Sequence, residues 1–265
     1  MEEHAFVIPV YMDSPYLEQC IQSLLNQTVK SRIIITTSTP SLFIENMAAA
    51  YKLPYFINHT NREGIAADWN FALTNGEAKL VTIAHQDDIY EPDFTEKVTT
   101  QIKAGDKETL LLSFTGYSEI VNDKTRRFSL NAIVKKVLLM PFQFKKTIKR
   151  NFLKKLILIS GNPICCPTVT LNMYVLENFK FSKDYNYVLD WYTWYELAQL
   201  RGGFTFINKK LVRHRIHPDS ETTHQLKSGL RQLEELRLFE LIWGKRLAKI
   251  ISYIYLAGHK SNFSN

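Results

Sequence analysis

The stretch Val81-Thr-Ile-Ala-His-Gln-Asp-Asp-Ile-Tyr-Glu-Pro92 carries a buried-strand pattern that breaks into two adjacent carboxylates, Asp87 and Asp88, and then a proline. A hard divalent cation takes oxygen ligands and commonly holds substrate phosphates at the same time. One or two carboxylates on a strand tip are therefore the minimal metal and phosphate site. Open α/β sheets bind ligands at the carboxyl ends of their strands, which is where this pair would stand. An isolated Asp-Asp would more often cap the helix that follows Pro92, so the surrounding pattern has to decide. A third acid, Asp190, lies in the aromatic segment Tyr187-Val-Leu-Asp-Trp-Tyr-Thr-Trp-Tyr-Glu196. At a helix start it is either a partner of the helix dipole or a general base. Arg213, His214, Arg215 and His217 gather near the end of a late strand, a set suited to clamping a diphosphate.

The elements that would position these groups alternate. Residues 5–11 read as a buried strand, followed by a turn in which Ser14 caps a helix with Pro15 at its first position, running to about Gln27. A strand at Arg32–Thr37, a helix at 41–51, a short strand at 54–58, a helix from near Gly64 and a strand at 79–84 follow. Strands and helices at this pitch imply a doubly wound, mostly parallel sheet. A helix to about Lys103, a strand at 109–116 and a turn at 122–124 come next. Later elements are a strand at 168–172, a helix at 185–200, two strands at 204–207 and 210–216, and a helical end at 222–256 interrupted at Gly244. There is no internal repeat.

With 265 residues, 45% of them hydrophobic and 12% aromatic, the chain can bury a sizeable core in one large α/β domain or two small ones. A net charge of +7 points to acidic partners: nucleotide phosphates, anionic lipid or nucleic acid. Residues 129–160 contain no Asp or Glu, while Lys135, Lys136, Lys145, Lys146, Lys149, Arg150, Lys154 and Lys155 interleave with apolar residues. This reads as one or two basic amphipathic helices suited to an anionic membrane surface, with 243–255 a second such stretch. No run approaches the ~20 apolar residues of a membrane span. Cys20, Cys165 and Cys166 fit a reducing compartment, and the acidic start Met-Glu-Glu-His does not read as a signal peptide. The expected location is cytoplasmic, peripheral on the inner face of the cell membrane.

Four ordered segments resemble family 2 glycosyltransferases. These are Phe6-Val-Ile-Pro-Val-Tyr11 with the helix around Ile21-Gln-Ser-Leu-Leu-Asn-Gln-Thr28, Asn61-x-x-Gly64 with Asn70, His85-Gln-Asp-Asp88 with Pro92, and Arg215-Ile-His-Pro-Asp-Ser220. The resemblance implies an α/β GT-A fold, a Rossmann-like nucleotide-diphospho-sugar transferase fold with a mostly parallel central sheet flanked by helices and with C-terminal helices. It implies a domain at 1–222, comprising a nucleotide-sugar-binding half at 1–116, a basic insertion at 129–160 and an acceptor half at 161–222, with a helical extension at 223–265. Pro9, Val10, Tyr11, Thr37, Ser38, Asn61, Gly64, Asp68, Asn70, His85, Gln86, Asp88 and Arg215 would meet the nucleotide sugar. Asp87 and His217 would hold Mn²⁺ or Mg²⁺, and Asp190 would be the catalytic base.

Two departures qualify that implication. The second strand ends in Thr36-Thr-Ser-Thr39, without the aspartate that touches uracil in many relatives, and Asp68 is the acid that would compensate. His85 replaces the first aspartate of the metal motif, and it either ligates or lines the ribose pocket. The implied reaction is inverting transfer of a sugar from a nucleoside-diphosphate sugar, UDP-sugar favoured, to a lipid-linked saccharide in bacterial capsule, O-antigen or lipopolysaccharide assembly. A non-catalytic nucleotide-sugar or lipid-binding scaffold and a nucleotidyltransferase are the alternatives. A nucleotidyltransferase should show a glycine-rich phosphate loop with a lysine near the first strand, and Pro9-Val-Tyr-Met12 offers none. A nucleic-acid partner is not expected, because no recognised nucleic-acid motif accompanies the charge.

Overall fold

The computed structural model describes residues 2–60, 64–105, 108–121, 124–126, 130–217 and 229–260. Strand β1, Glu2–Val10, leads through helix α1, Leu17–Leu25, to β2, Arg32–Thr37, and then through α2, Leu42–Ala50, to β3, Tyr55–Ile57. Helix α3, Ile65–Gly76, and β4, Ala78–Ile83, follow, then the two-residue β5, Ile89–Tyr90, and α4, Phe94–Ala104. Strand β6, Leu110–Val121, is hairpinned to β7, Lys124–Arg126. Residues 130–156 form α5, Leu130–Leu138, α6, Pro141–Phe144, β8, Thr147–Ile148, and α7, Asn151–Leu156. The chain continues through a 3-10 turn, Cys166–Thr168, to β9, Val169–Asn172, α8, Leu189–Gln199, β10, Gly203–Ile216, and α9, Leu230–Lys260.

Among the described residues the sheet runs β3-β2-β1-β4-β9-β6-β10-β5, with β7 on β6 and β8 on β10. Strands β1, β2, β3 and β4 are mutually parallel. Strand β9 is antiparallel to both β4 and β6, so β6 and its parallel partner β10 share the direction of the first four. Six strands therefore end on one edge, where loop residues can converge. Both faces are covered, which is why β1 is apolar along its length: Ala5 and Val7 join one core with α3, α8 and α9, while Phe6, Ile8 and Val10 join the other with α1, α2 and α4.

Several expectations are corrected. The two last strands are one, β10, with register shifts between Ile207 and Val212, because a bulge bends the strand without breaking its pairing to β6. The basic stretch is three short helices and a strand, since Pro141 starts a new helix and Thr147–Ile148 pair with β10. Lys154 does not face outward: it is fully buried and donates from Nζ to the carbonyls of Leu200 and Gly202 at 2.7 and 2.8 Å, satisfying the carboxyl end of α8. The helical end does kink at Gly244, whose φ of 74° is left-handed. No helix among the described residues is long and apolar enough to cross a membrane.

Candidate active site

Ala84 ends the apolar run of β4, and the chain turns through His85, Gln86, Asp87 and Asp88 at the carboxyl edge of the sheet. The two carboxylates face different neighbours. Asp88 is buried, accepts the Arg215 amide at 2.9 Å and pairs with His214 Nδ1 at 3.0 and 3.1 Å. Burial alone would raise its pKa, but the His214 charge and hydrogen bond, His85 and the Arg215 amide bring it below the usual range. His214 is in turn raised: burial works against its proton and Asp88 prevails. The pair is thus a charged brace that ties the β4 turn to β10. The oxygens of Asp88, expected to contact the nucleotide, are engaged in this brace.

Asp87 lies nearer the surface. Its Oδ1 accepts from Ser14 Oγ at 2.6 Å and its Oδ2 meets His217 Nε2 at 3.2 Å. Ser14 was expected to cap α1, and it does close the turn leading into it: its Oγ accepts from the Tyr16 amide at 3.3 Å and its carbonyl from Leu17 N at 3.2 Å, while its hydroxyl proton goes to Asp87. Arg215 donates from Nε to the Asp87 carbonyl at 3.2 Å and from Nη2 to Gln19 Oε1 at 2.8 Å, and its guanidinium lies 4.2 Å from the Tyr16 ring centre. The expected four-residue cationic clamp is divided. Arg213 points away to an exposed bidentate pair with Glu91 (2.6 and 3.2 Å), His214 belongs to Asp88, and Arg215 and His217 remain beside Asp87. The divalent-cation donor set fits in kind: one carboxylate and one imidazole converge, and a Mg²⁺-type ion takes the rest of its shell from phosphate and water. No group of three His, Cys, Asp or Glu gathers among the described residues.

The β1 edge is shaped by Gln86, whose amide accepts from Tyr11 N and donates to Tyr11 O, both at 3.1 Å. Met12 beyond it adopts a left-handed φ of 56° and donates from its amide to Thr39 Oγ1. Pro9 and Val10 are the last residues of β1, and Thr37 is buried at the end of β2. Asp68, in the first turn of α3, accepts from Ser38 Oγ at 2.8 Å and from Asn58 Nδ2 at 3.0 Å, which brings an acid to the ends of β2 and β3. Gly64 precedes α3 at φ 98°, where a side chain would be strained and would press on Asn186. Asn61 lies outside the described residues. The Asn70 amide pairs with both the N–H and C=O of Phe181, at 2.8 and 2.9 Å, and so clamps a loop.

His85 sits against Trp69, ring centres 5.5 Å apart, and burial lowers its pKa, so the ring is neutral. Its Nε2 is buried and makes no hydrogen bond. After burial, the charge of Asp88 acts on the ring's pKa most strongly, followed by His214, which lowers it further, and by Asp87 and Asp190, which raise it. Asp190 accepts from Asn162 Nδ2 at 2.8 Å and from the Trp191 amide at 2.7 Å. Burial raises its pKa, partly opposed by Arg231 of α9, the Trp191 amide, Lys135 of α5 and His85. A raised carboxylate is a stronger base once ionised.

The start of α8 is fixed from α9: the Glu234 carboxylate accepts from the amides of Asn186, Tyr187 and Val188 at 2.7 to 3.2 Å. Trp191 and Trp194 are core, as their helical spacing implies, while Tyr192 is half-buried and stacks on Tyr185 with ring centres 4.4 Å apart. Sequence reasoning missed Ser14, Gln19, Asn162, Lys135, Arg231 and Glu234 as parts of the site. Only Asn162 had a signal, its place in the turn Gly161-Asn-Pro163.

Comparison with known proteins bears on the family and the fold. The profile described as Glycosyl transferase family 2 matches residues 5–177, from β1 through the Asp87 turn to just beyond β9. An uncharacterized glycosyltransferase of Rickettsia typhi is 24% identical over 260 residues, 93% of this chain and 72% of that protein. One of Haemophilus influenzae is 25% identical over 218 residues, 80% of this chain and 64% of that protein. The crystal structure of S. aureus TarS 1-349 in complex with UDP-GlcNAc superposes with a TM-score of 0.65 at 14% identity, covering 98% of this chain and 73% of that one. It shares the fold, and its UDP complex does so at a TM-score of 0.59. A match that spans the sheet from its first strand through the carboxylate turn identifies the chain as a member of glycosyl transferase family 2, and so as a glycosyltransferase.

Proposed function

We propose that this glycosyltransferase moves a sugar from a nucleoside-diphosphate sugar, by preference a UDP-sugar, to the hydroxyl of a lipid-linked saccharide in bacterial cell-surface polysaccharide assembly, with inversion at the anomeric carbon. The observation that carries this reading is His85, a buried ring against Trp69 on which the charges of both Asp87 and Asp190 act, so that it stands within electrostatic reach of the Asp87–His217 cluster and of the raised carboxylate. A donor diphosphate at the cluster would present its sugar across His85 toward that base. His85 Nε2, buried and unpartnered, is suited to a hydroxyl of the donor.

Asp190 takes the acceptor's proton as the oxygen attacks the anomeric carbon and the bond to the diphosphate oxygen breaks. Asn162 and the Trp191 amide hold the carboxylate in place for that transfer. Arg215 and His217 face the charge that grows on the leaving diphosphate, which is electrostatic stabilisation at a preorganised site. Asp87 and His217 would hold Mn²⁺ or Mg²⁺, which when bound neutralises that same charge. Asp68, tied to Ser38 and Asn58, is the acid available to a uracil ring. The UDP preference draws on the S. aureus TarS complexes with UDP and UDP-GlcNAc.

The test is a thermal-shift panel of UDP-, GDP- and dTDP-sugars with and without Mn²⁺. UDP-sugars are expected to raise Tm most, only with metal, and Asp87→Asn is expected to remove the metal-dependent part. Stabilisation by no nucleotide under any metal condition contradicts the reading.

A further inference from the structure

The carboxyl edge of the sheet leaves one surface of the molecule without an assigned role. Residues 129–160 and 241–265 contain no Asp or Glu. On α5 the side chains of Ile133, Val134 and Val137 are exposed at one helical face, followed by Met140 and by Phe144, which is 84% exposed. On α9 beyond its kink, Leu247, Ile250 and Tyr253 recur every three residues, and Tyr253 is 78% exposed. The two helices are neighbours: a side chain at Gly161 would touch both Leu138 at the end of α5 and Tyr255 of α9. Exposed basic residues stand among these apolar ones, namely Lys136, Lys145, Lys146, Lys149 and Arg150 on one segment and Lys245, Arg246 and Lys249 on the other.

We propose that this face, formed by α5, residues 139–150 and the second half of α9, docks on an anionic lipid bilayer. Two properties select that occupant. Isolated exposed apolar residues are ordinary, but two neighbouring helices with apolar stripes of this size are not left to water in a monomer without a use. A wholly acid-free, lysine-rich rim around such stripes complements anionic headgroups, and its aliphatic and aromatic side chains have an acyl boundary to enter. Nucleic acid would reward the charge but not Val137, Ile250 or Leu247. A second copy of the chain would bring the same positive charge against itself.

The helix that docks also reaches the site. From the opposite side of α5, Lys135 Nζ donates to Tyr117 on β6 at 2.6 Å, and the Tyr117 ring meets His214, which holds Asp88. Lys135 also bears on Asp190, so docking would fix α5 beside the proposed base, where a lipid-linked acceptor would arrive if the proposed function holds.

Flotation of the full chain with vesicles tests this without requiring turnover, so its failure is separate from failure of the transferase reading. Vesicles containing phosphatidylglycerol should carry the protein, and pure phosphatidylcholine should bind it at least about tenfold more weakly. A triple Lys136→Glu, Lys145→Glu, Lys146→Glu variant and a separate Val137→Ser, Phe144→Ser variant should each lose binding to anionic vesicles while keeping the wild-type Tm. Equal recovery with neutral vesicles, or variants that float like wild type, would overturn the proposal. So would tight binding of duplex nucleic acid without vesicle binding, or a concentration-dependent dimer that the apolar variant abolishes without vesicle binding.

Discussion

Asp87 and Asp88 are adjacent in sequence, yet their surroundings set them to separate tasks. Asp88 is 1% exposed and lies against His214, so removing the imidazole would strand a buried carboxylate. Fully buried pairs cost about 3–5 kcal/mol when one partner is removed, and the partial exposure of His214 brings the expectation for His214→Leu to about 2–3 kcal/mol. The exposed Arg213–Glu91 pair, by contrast, is worth about 0–1 kcal/mol, so Arg213→Ala should be nearly silent. Urea denaturation of the two variants tests the division; similar losses would contradict it. The sequence marks all of these residues as candidates but not their pairing. Whether a cation on β10 serves Asp87, Asp88 or Glu91 depends on strand register and the bulge before Val212, which sequence does not print.

At the scale of elements, the N-terminal half was legible because each strand is a short apolar run bounded by turn chemistry, and both faces of the sheet need covering. Ser41 caps α2 by accepting from the Ile44 amide, as such a residue does, and Ser14 accepts from the Tyr16 amide while its hydroxyl also donates to a carboxylate 73 residues away, which its sequence neighbours do not show. Helix α5 was legible as amphipathic but not as part of the site, because the inward turn of Lys135 is a tertiary event among seven other cations of similar spacing. Its predicted effect is electrostatic. Lys135 and Arg231 hold the Asp190 pKa down against burial, so Lys135→Met should move the acid limb of the kcat profile to higher pH. An acid limb that stays in place, or shifts downward, in a kcat–pH series would separate Lys135 from Asp190.

For the molecule as a whole, six co-directed strands deliver the Asp87 turn, the ends of β1 and β2 and the tip of β10 to one edge, and α9 and α5 bring the charges of Arg231 and Lys135 to bear on Asp190. The net charge of +7 reflects the acid-free basic stretches 129–160 and 241–265 more than the cluster at Asp87, where Arg215 is the one arginine or lysine that contacts it among the described residues. The account rests on Asp190 as the base of a sugar transfer. Release of nucleoside diphosphate from the best-stabilising donor, measured for wild type and Asp190→Asn in the presence of metal and acceptor, tests this most directly. Loss of general-base catalysis predicts a fall in kcat of about 10²–10⁴ with donor binding and Tm retained. Wild-type turnover by Asp190→Asn, or donor binding by the wild-type protein with no turnover on any acceptor, would contradict it.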